Sequence, residues 1–382
     1  MDIKNKIKLA TIVGTRPEII RLSSILNHLK NSDSIVNTLI HTGQNYDPEL
    51  NEIFFKDLDL DNPEYYLNAA GKSSSETIGK ILIEVDKILR KINPDAVLIL
   101  GDTNSGLAAI SAKKLKIPIF HYEAGNRCFD QRVPEETNRK IIDNVSDINL
   151  TYSKIAKDYL IQEGFNPDRV INIGSPMFEV LNSNLKKIET SNILKKLKLK
   201  KNKYFLVSCH REENVDSPKN FNKLVGVLNS ISNMYKLPVI VTLHPRTKKI
   251  IMTKSPKLNK LIKLETPFSF TDYNCLQMNS FAVLSDSGTI SEESSILNFK
   301  AINIRESHER PEAMEEASVV MTGLNLDRII QSIEVLKHQQ IGLNRNFNLV
   351  ADYNKNNTSL KVERIIISYL DYINRVVWQK ES

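Results

Sequence analysis

The sequence predicts an α/β protein with two Rossmann-like, doubly wound domains that face a cleft. Short apolar runs of strand type alternate with helix-length amphipathic stretches along all 382 residues, a pattern typical of parallel sheets with helices on both faces. A chain of this length is long for one hydrophobic core and sufficient for two. A charged stretch from Asn182 to Lys203 separates two sets of these units. We therefore expect one doubly wound domain on each side of it.

The predicted strands are short apolar runs that lead into turn or polar residues. In chain order they are Ile7 to Val13, Val36 to His41, Ala96 to Leu100, Ile117 to Tyr122, Asp147 to Leu150, Val170 to Ile173, Tyr204 to Ser208, Val239 to Leu243, Leu261 to Leu264, Phe281 to Leu284 and Ala301 to Ile304. Gly174-Ser175-Pro176 ends the first set with breaker residues. We expect a boundary near residue 176, with an N-terminal domain over 1–176 and a C-terminal domain over 177–365. The segment from Val362 to Trp378 is apolar at helical spacing and predicts a helix that docks on another element.

Composition narrows the possible functions. Hydrophobic residues make up 41% and charged residues 25% of the chain, as in ordinary globular proteins. The net charge of +7 comes from lysines scattered along polar faces, and they lack the interleaved aromatic residues of a nucleic-acid surface. An acidic small-molecule substrate explains the charge equally well. No apolar run is long enough to span a membrane, so we expect a cytoplasmic protein with neither nucleic-acid nor membrane partners.

Several cofactor and metal motifs are missing from the sequence. No GxGxxG follows the first strand, no P-loop is present, and no Tyr is followed four residues later by Lys. The three cysteines form no CxxC pair, and the histidines show neither HxH nor HExxH spacing. We expect no cofactor and no metal. His244 falls in a predicted loop after a strand, where a structural role and a ligand contact are both open.

Two polar clusters follow strand-like runs and suggest a site. The segment 121–127 follows the run that ends at Phe120 and continues to 134–139, and the segment 209–214 follows the run that ends at Ser208. Open α/β sheets bind ligands at the carboxyl ends of their strands. Carboxylates beside a buried sheet need partners or a function. For Arg127, Arg139 and His210, a structural role and a role in the site are both open.

Two strand-to-helix junctions have the residues of an anion site. Gly14-Thr15-Arg16-Pro17-Glu18 follows the first strand and opens a helix, where backbone N–H groups and Arg16 could meet a phosphate. In the second half, Ser287, Gly288 and Thr289 lie where a strand passes into a helix and could donate N–H groups to a diphosphate. Glu292 or Glu293 could then bind a ribose diol. A capping box, in which Ser or Thr is followed three residues later by Glu, is compatible with this interpretation.

A set of motifs in chain order closely resembles the non-hydrolysing UDP-N-acetylglucosamine 2-epimerases. They are Gly14-Thr15-Arg16-Pro17-Glu18, Gly101-Asp102-Thr103, Glu123-Ala124-Gly125, Pro134-Glu135-Glu136-Thr137-Asn138-Arg139, His210-Arg211 with Glu213-Asn214, Asp286-Ser287-Gly288 and Glu309-Arg310-Pro311-Glu312. The resemblance covers nearly the whole chain. It implies a two-domain fold of the glycosyltransferase-B type, with the C-terminal helix (366–382) packed back on the first domain.

The resemblance also implies a mechanism and the residues that perform it. UDP is eliminated across C1 and C2 of the sugar to leave a 2-acetamidoglycal, and is added back after a proton returns on the opposite face. No redox cofactor is needed. The implied acid and base residues are Asp102, Glu123, Glu135 and, on the diphosphate side, His210. The implied UDP contacts are Arg16, Ser287, Gly288 and Glu292, and Arg21 lies where the family usually has Lys. We further expect substrate contacts from Arg21, Arg127, Arg139, His244, Thr289 and Arg310. A second copy of the chain is the expected protein partner.

One departure from the family pattern bears on the substrate. Most members that act on UDP-N-acetylglucosamine read Glu-Ala-Gly-Leu-Arg, whereas this chain has Asn126 in place of the Leu and continues with Arg127-Cys128. This variant resembles the subgroup of capsule and O-antigen synthesis that converts UDP-2-acetamido-2,6-dideoxy-L-talose to UDP-N-acetyl-L-fucosamine. The alternatives are the UDP-N-acetylglucosamine/UDP-N-acetylmannosamine 2-epimerase and, from other classes, a silent nucleotide-sugar-binding protein or a glycosyltransferase.

Overall fold

The computed structural model describes residues 6–44, 48–209, 217–243, 254, 256–307 and 309–380. The chain divides into two compact units. Unit 1 takes the chain up to Ser183 together with the part from Asp352 onward, and unit 2 is Asn184–Ala351. The domain boundary near residue 176 stays a prediction. Elements are numbered below within the described residues.

Unit 1 is a parallel sheet with helices in its connections. Its strands are β1 (Ile7–Val13), β2 (Ile35–His41), β3 (Tyr65–Tyr66), β4 (Ala96–Leu100), β5 (Ile119–Ala124), β6 (Ile148–Thr151) and β7 (Val170–Asn172). Its helices are α1 (Arg16–Lys30), α2 (Pro48–Asp57), α3 (Ser74–Ile92), α4 (Ala109–Lys114), α5 (Pro134–Val145), α6 (Lys154–Gln162) and the first part of α7 (Met177–Glu189), with short 3₁₀ turns at Asn104–Ala108 and Pro167–Arg169. The described strands pair in parallel in the order β3-β2-β1-β4-β5-β6-β7.

Unit 2 repeats this architecture. Its strands are β8 (Phe205–Ser208), β9 (Val239–Thr242), β10 (Ile262–Glu265), β11 (Ala282–Ser285), β12 (Ala301–Asn303) and β13 (Val320–Met321). Its described helices are α8 (Ile193–Lys196), α9 (Pro218–Tyr235), α10 (Phe270–Asn279), α11 (Ile290–Leu297), α12 (Pro311–Glu315) and α13 (Leu326–Leu336). The described strands pair in parallel in the order β10-β9-β8-β11-β12-β13. The predicted doubly wound α/β class is confirmed in both units.

Each predicted strand is present, with ends that differ by no more than two residues. The sheets are buried on both faces, so the central strands read as continuous apolar runs; all five residues of β4 are buried. Two strands were not predicted, β3 and β13. Both are two-residue strands at the edge of a sheet, and two residues are too few to form a recognisable pattern.

The strand order places a topological switch point in each unit. In unit 1 it lies between β1 and β4, and in unit 2 between β8 and β11. Doubly wound sheets bind ligands beside the carboxyl ends of the strands at this point. The sequence motifs that follow β1, β4 and β11 therefore begin at positions where doubly wound sheets bind ligands.

The predicted C-terminal helix is α14 (Thr358–Val376), and it packs on α1. Its apolar face is buried at Val362, Ile366 and Ile373. Glu363 accepts a hydrogen bond from the Ser32 hydroxyl and lies 2.6 Å from His28 Nε2. The end of the chain thus completes unit 1. Among the described residues, no helix has the length and apolarity that crossing a bilayer requires.

Candidate active site

Strand β5 ends in an irregularity that redirects Glu123. The register of β5 against β6 shifts between Tyr122 and Ala124, and Glu123 has a φ of 70°. A left-handed conformation is uncommon for a residue with a side chain, and such bulges often re-aim a side chain beside an active site. The Glu123 carboxylate forms an ion pair with Arg21 of α1 and lies 3.3 Å from the Nδ2 of Asn126, which donates to it. Glu123 is 7% exposed.

Asp102 follows β4 and is held by α5. Arg139 donates from Nη2 and Nε to one Asp102 oxygen, at 2.6 and 3.0 Å. Its Nη1 lies 3.0 Å from Glu136, which is fully buried. A Cβ added at Gly101 would lie 3.4 Å from Glu123 Oε2, so Glu123 packs against the residue before Asp102. The structure therefore places these two predicted carboxylates at the ends of adjacent strands. Glu135 is half-buried in the first turn of α5.

The predicted anion turn after β1 is occupied by a side chain of the protein. Glu18 Oε2 accepts from the N–H groups of Gly14 and Thr15 at 2.5 and 2.9 Å, and Oε1 accepts from the Thr103 hydroxyl. These two N–H groups, which the sequence suggested for a phosphate, are thus bonded to Glu18. Arg16 is half-buried, with its guanidinium 5.6 Å from the centre of the Phe54 ring.

Burial raises the pKa of Glu18 to about 7. The hydrogen bonds from Thr103, Gly14 and Thr15 offset part of this rise, and the charge of Asp102 adds to it. A raised carboxyl pKa in the folded state means that the folded protein retains a proton that the unfolded chain releases. The contribution of protonated Glu18 to the free energy of unfolding is fully present below pH 4.5 and is lost as the pH rises through about 7.

Glu18→Gln should remove this pH dependence. An amide imitates the protonated acid: its oxygen can accept from the two N–H groups, and its nitrogen can donate to the Thr103 hydroxyl. Relative to the wild type, the variant's free energy of unfolding should rise by about 3 kcal/mol between pH 4.5 and 8, because one pKa unit corresponds to about 1.4 kcal/mol. Urea titrations at several pH values measure this difference. Parallel pH profiles for the two proteins would contradict it.

Arg127 is engaged entirely within unit 1. Its Nε and Nη2 donate to the two oxygens of Glu163 at 2.8 and 2.6 Å. Its Nη1 donates to Asp143 at 2.7 Å and to the Asn126 carbonyl at 2.8 Å. Arg127 is 2% exposed. All three guanidinium nitrogens of this predicted substrate contact are therefore bonded to the protein.

Cys128 lies beside the same helix. Its Sγ is 3.2 Å from Glu136 Oε2, which also accepts from the Cys128 N–H. Burial raises the pKa of the thiol to about 11. A thiol is a poor nucleophile at neutral pH when its pKa is raised, which agrees with the absence of a nucleophile motif around it.

In unit 2, the junction between β11 and α11 carries the second predicted anion site. Ser287 donates its N–H to the Ser285 hydroxyl at 3.0 Å, and Thr289 donates its N–H to the Ser287 hydroxyl at 3.3 Å. Ser287, Gly288 and Thr289 are half-exposed, whereas Ser285 is fully buried. Thr289 is the N-cap of α11 without a side-chain cap hydrogen bond, so the capping box that the sequence suggested is not formed there.

The acidic residues of α11 have partners within unit 2. Arg310 Nε lies 3.6 Å from Glu292 Oε2, and both side chains are buried. Glu293 accepts from the amide of Gln277 at 2.8 Å. Cys209, at the end of β8, has its Sγ 3.1 Å from Asp286 Oδ2. The predicted contacts Glu292 and Arg310 thus lie together, beside the switch point of this sheet.

The remaining predicted site residues, His210 and His244, lie outside the described residues. The part of the chain that the structure describes contains no group of three or more His, Cys, Asp or Glu side chains arranged to hold a metal ion.

Four buried residues around the carboxylates were not predicted as site residues: Glu18, His121, Glu136 and Asp143. Glu18, His121 and Glu136 lie in motifs that the sequence singled out. Asp143 lies one helical turn beyond the motif that ends at Arg139. The helical spacing could have identified Asp143, because residues 135, 136, 139 and 143 share one side of a helix.

The family described as UDP-N-acetylglucosamine 2-epimerase matches residues 27–367 of the chain. The solved structure of UDP-N-acetylglucosamine 2-epimerase from Rickettsia bellii is 45% identical, with a TM-score of 0.90, over 98% of this chain and 100% of that one. The enzyme of that name from Methanocaldococcus jannaschii, in complex with UDP-GlcNAc and UDP, is 35% identical, with a TM-score of 0.88, over 95% of this chain and 100% of that one.

A third relative is named for a different sugar. The UDP-2,3-diacetamido-2,3-dideoxy-D-glucuronate 2-epimerase of Pseudomonas aeruginosa is 33% identical over 328 residues, which cover 85% of this chain and 91% of that protein. Similar chains therefore carry names that refer to different UDP-sugars. The two-unit fold is shared over nearly the whole chain, as expected for the glycosyltransferase-B type.

Proposed function

The chain belongs to the UDP-N-acetylglucosamine 2-epimerase family, and from this premise we propose which of its residues perform the reaction and on which sugar. The protein is a non-hydrolysing isomerase that acts at C2 of a UDP-sugar. The observation that carries the residue assignment is the pair of carboxylates, Asp102 and Glu123, at the ends of adjacent strands, each joined to an arginine.

The proposed reaction needs proton transfer at C2 and stabilisation of a leaving diphosphate. A carboxylate removes the C2 proton, the C1–O bond to UDP breaks, and a C1–C2 double bond forms. A proton is then delivered to the other face of C2, and a diphosphate oxygen adds back to C1. Glu123, Asp102 and Glu135 are the proposed proton-transfer groups, because positioned carboxylates suit this role.

The UDP contacts are proposed from the junctions that follow the strands. In unit 1 the candidate is Arg16. In unit 2 they are Ser287, Gly288 and Thr289, with Glu292 and Arg310 beside them. A helix N-terminus with small hydroxyl residues favours a diphosphate. His210 and His244 complete the proposal on the strength of the sequence motifs alone.

We propose that the sugar is UDP-2-acetamido-2,6-dideoxy-L-talose, converted to UDP-N-acetyl-L-fucosamine for a bacterial surface polysaccharide. Asn126 supports this choice. It is 5% exposed, and its amide donates to Glu123, the candidate base. The residue that departs from the common family pattern therefore contacts the reacting carboxylate. The second candidate, UDP-N-acetylglucosamine/UDP-N-acetylmannosamine 2-epimerisation, is favoured by the similarity to the Rickettsia bellii and Methanocaldococcus jannaschii proteins.

Turnover in D₂O with each purified UDP-sugar pair tests both parts of the proposal. Deuterium should appear at C2 of the product, because the proton exchanges through the glycal. The kcat/KM for the 6-deoxy pair should exceed that for the glucosamine pair by about 10²-fold, since a pocket shaped for a methyl group leaves an added hydroxyl without a partner. Equal or higher kcat/KM on the glucosamine pair would establish the second candidate. Turnover without deuterium at C2 would refute the proposed chemistry.

A further inference from the structure

Asp143 lies at the centre of a buried group of charges beneath the two candidate carboxylates. Its carboxylate is 2.9 Å from the Nδ1 of His121 and accepts a hydrogen bond from Arg127 at 2.7 Å. It also accepts from the Gly125 N–H, with both oxygens at 3.3 Å. The side chains of His121, Arg127 and Asp143 are fully buried. Burial alone would raise the pKa of Asp143, but the hydrogen bond and charge of His121 and the charge of Arg127 outweigh it and lower that pKa.

These contacts reach the backbone on both sides of the site. The Nε2 of His121 donates to the carbonyl of Gly101, at 2.9 Å, and Gly101 directly precedes Asp102. Gly125 lies two residues after Glu123 and has a φ of 78°. One carboxylate on α5 therefore fixes the strand end that carries Asp102 and the bulge that carries Glu123.

The bulge needs such support. Glu123 is held in a left-handed conformation, which costs of the order of 1–3 kcal/mol. A Cβ at Gly125 would lie 2.4 Å from the Ala156 carbonyl oxygen, so α6 closes tightly over the bulge. Arg127 connects α5 to α6, because it binds Asp143 of α5 and, through two hydrogen bonds, Glu163 at the C-cap of α6.

We propose that His121, Arg127 and Asp143 are positioning residues that hold Asp102 and Glu123 in the geometry for proton transfer at C2. Arg127 acts from beneath the site and not as a substrate contact. The inference rests on the proposed function of the two carboxylates. A displacement of about 1 Å can lower a rate by about 10²-fold, so loosening this group should lower kcat while substrate and UDP still bind.

Asp147 offers a matched control for Asp143. It is equally buried, and it anchors the opposite, amino end of β5: its carboxylate accepts from the Ile119 N–H at 2.9 Å and pairs with Lys113 at 2.5 Å. Asp143→Asn and Asp147→Asn are the same isosteric change in two residues that support opposite ends of β5. Both remove a buried negative charge, and both should lower Tm.

The experiment measures kcat, KM, the Kd of UDP and Tm for both variants, on whichever sugar pair the wild type turns over faster. We expect Asp143→Asn to lower kcat by about 10²-fold with KM and the UDP Kd unchanged, and Asp147→Asn to keep the wild-type kcat. Equal kcat values for the two variants would overturn the inference. A rise in KM or in the UDP Kd without a fall in kcat would also overturn it, because it would indicate substrate contact.

A second variant keeps the test decisive if Asp143→Asn does not fold. Glu163 has a side chain 34% exposed, so Glu163→Gln should fold, and it loosens Arg127 from α6. We expect kcat to fall by about tenfold or more at unchanged UDP Kd, and an unchanged kcat would overturn the inference. The wild-type assay distinguishes the two proposals. A wild type that turns over neither sugar pair refutes the proposed function and this inference with it. An active wild type with unaffected variants refutes only the inference.

Discussion

Replacing Glu123 with Gln is expected to lower kcat by about 10²–10⁴-fold, because a positioned general base or acid contributes about that much. The amide keeps the shape of the side chain and can still accept from the Asn126 amide, which lies 3.3 Å from Oε1 in the wild type. It cannot accept a proton from C2. The Kd of UDP, measured by calorimetry, should be unchanged, since Glu123 is assigned to the sugar and not to the diphosphate.

Glu179 supplies a control for this change. It is a half-buried glutamate of unit 1 whose carboxylate accepts from Thr358 and Ser359 at the start of α14. Glu179→Gln should keep the wild-type kcat even if Tm falls.

A second measurement on Glu123→Gln is the deuterium content of substrate recovered from D₂O. It should be lower than with the wild type, because exchange at C2 precedes product release. A Glu123→Gln enzyme with near-normal kcat would remove Glu123 from the proton-transfer groups.

Replacing Arg139 with Met should lower both stability and activity. Arg139 is 2% exposed and pairs with Asp102 and the fully buried Glu136. Its loss takes the guanidinium away from Asp102 and Glu136, and breaking a buried ion pair from one side costs about 3–5 kcal/mol. The free energy of unfolding, from urea titration, should fall by about this amount. The kcat should fall as well, because Asp102 loses the two hydrogen bonds that Arg139 donates to it.

The double variant Arg139→Met/Glu136→Gln separates the two effects. Neutralising Glu136 removes one of the two carboxylate charges that faced Arg139, so stability should recover in part, whereas kcat should stay low because Asp102 still lacks the two hydrogen bonds from Arg139. Arg132→Met is the surface control: its side chain is 80% exposed and pairs with Asp130, and exposed pairs contribute only about 0–1 kcal/mol. Full recovery of kcat in the double variant would show that Arg139 acts only on stability.

The fold could be predicted from the sequence because parallel strands buried on both faces are continuous apolar runs. The same reasoning placed the carboxylates: polar residues after such runs fall at the carboxyl ends of strands, and β4 and β5 are neighbours in the sheet. The edge strands β3 and β13 escaped prediction because each has only two residues.

The partners of the charged residues could not be predicted. Arg139 meets Glu136 within its own helix, but Asp102, which it also meets, is 37 residues away in sequence. The glutamate that Arg127 meets is 36 residues away. Pattern and spacing say that a guanidinium lies near a strand end, but not whether it faces a ligand or another element. Glu18 is a similar case, since the Thr103 hydroxyl that it meets is 85 residues away. Packing between elements that are distant in sequence determines these partners of Arg139, Arg127 and Glu18.

The packing of α14 against α1 has a consequence for the order of events on the ribosome. Unit 1 is built from two separate stretches of chain, and its second stretch, from Asp352 onward, is synthesised after all of unit 2. At about 5–20 residues per second, the intervening Asn184–Ala351 takes on the order of ten to thirty seconds to translate. During that time the α1 surface that α14 will cover is without its partner. Unit 2 emerges as one continuous stretch and can be complete before the unit that begins the chain.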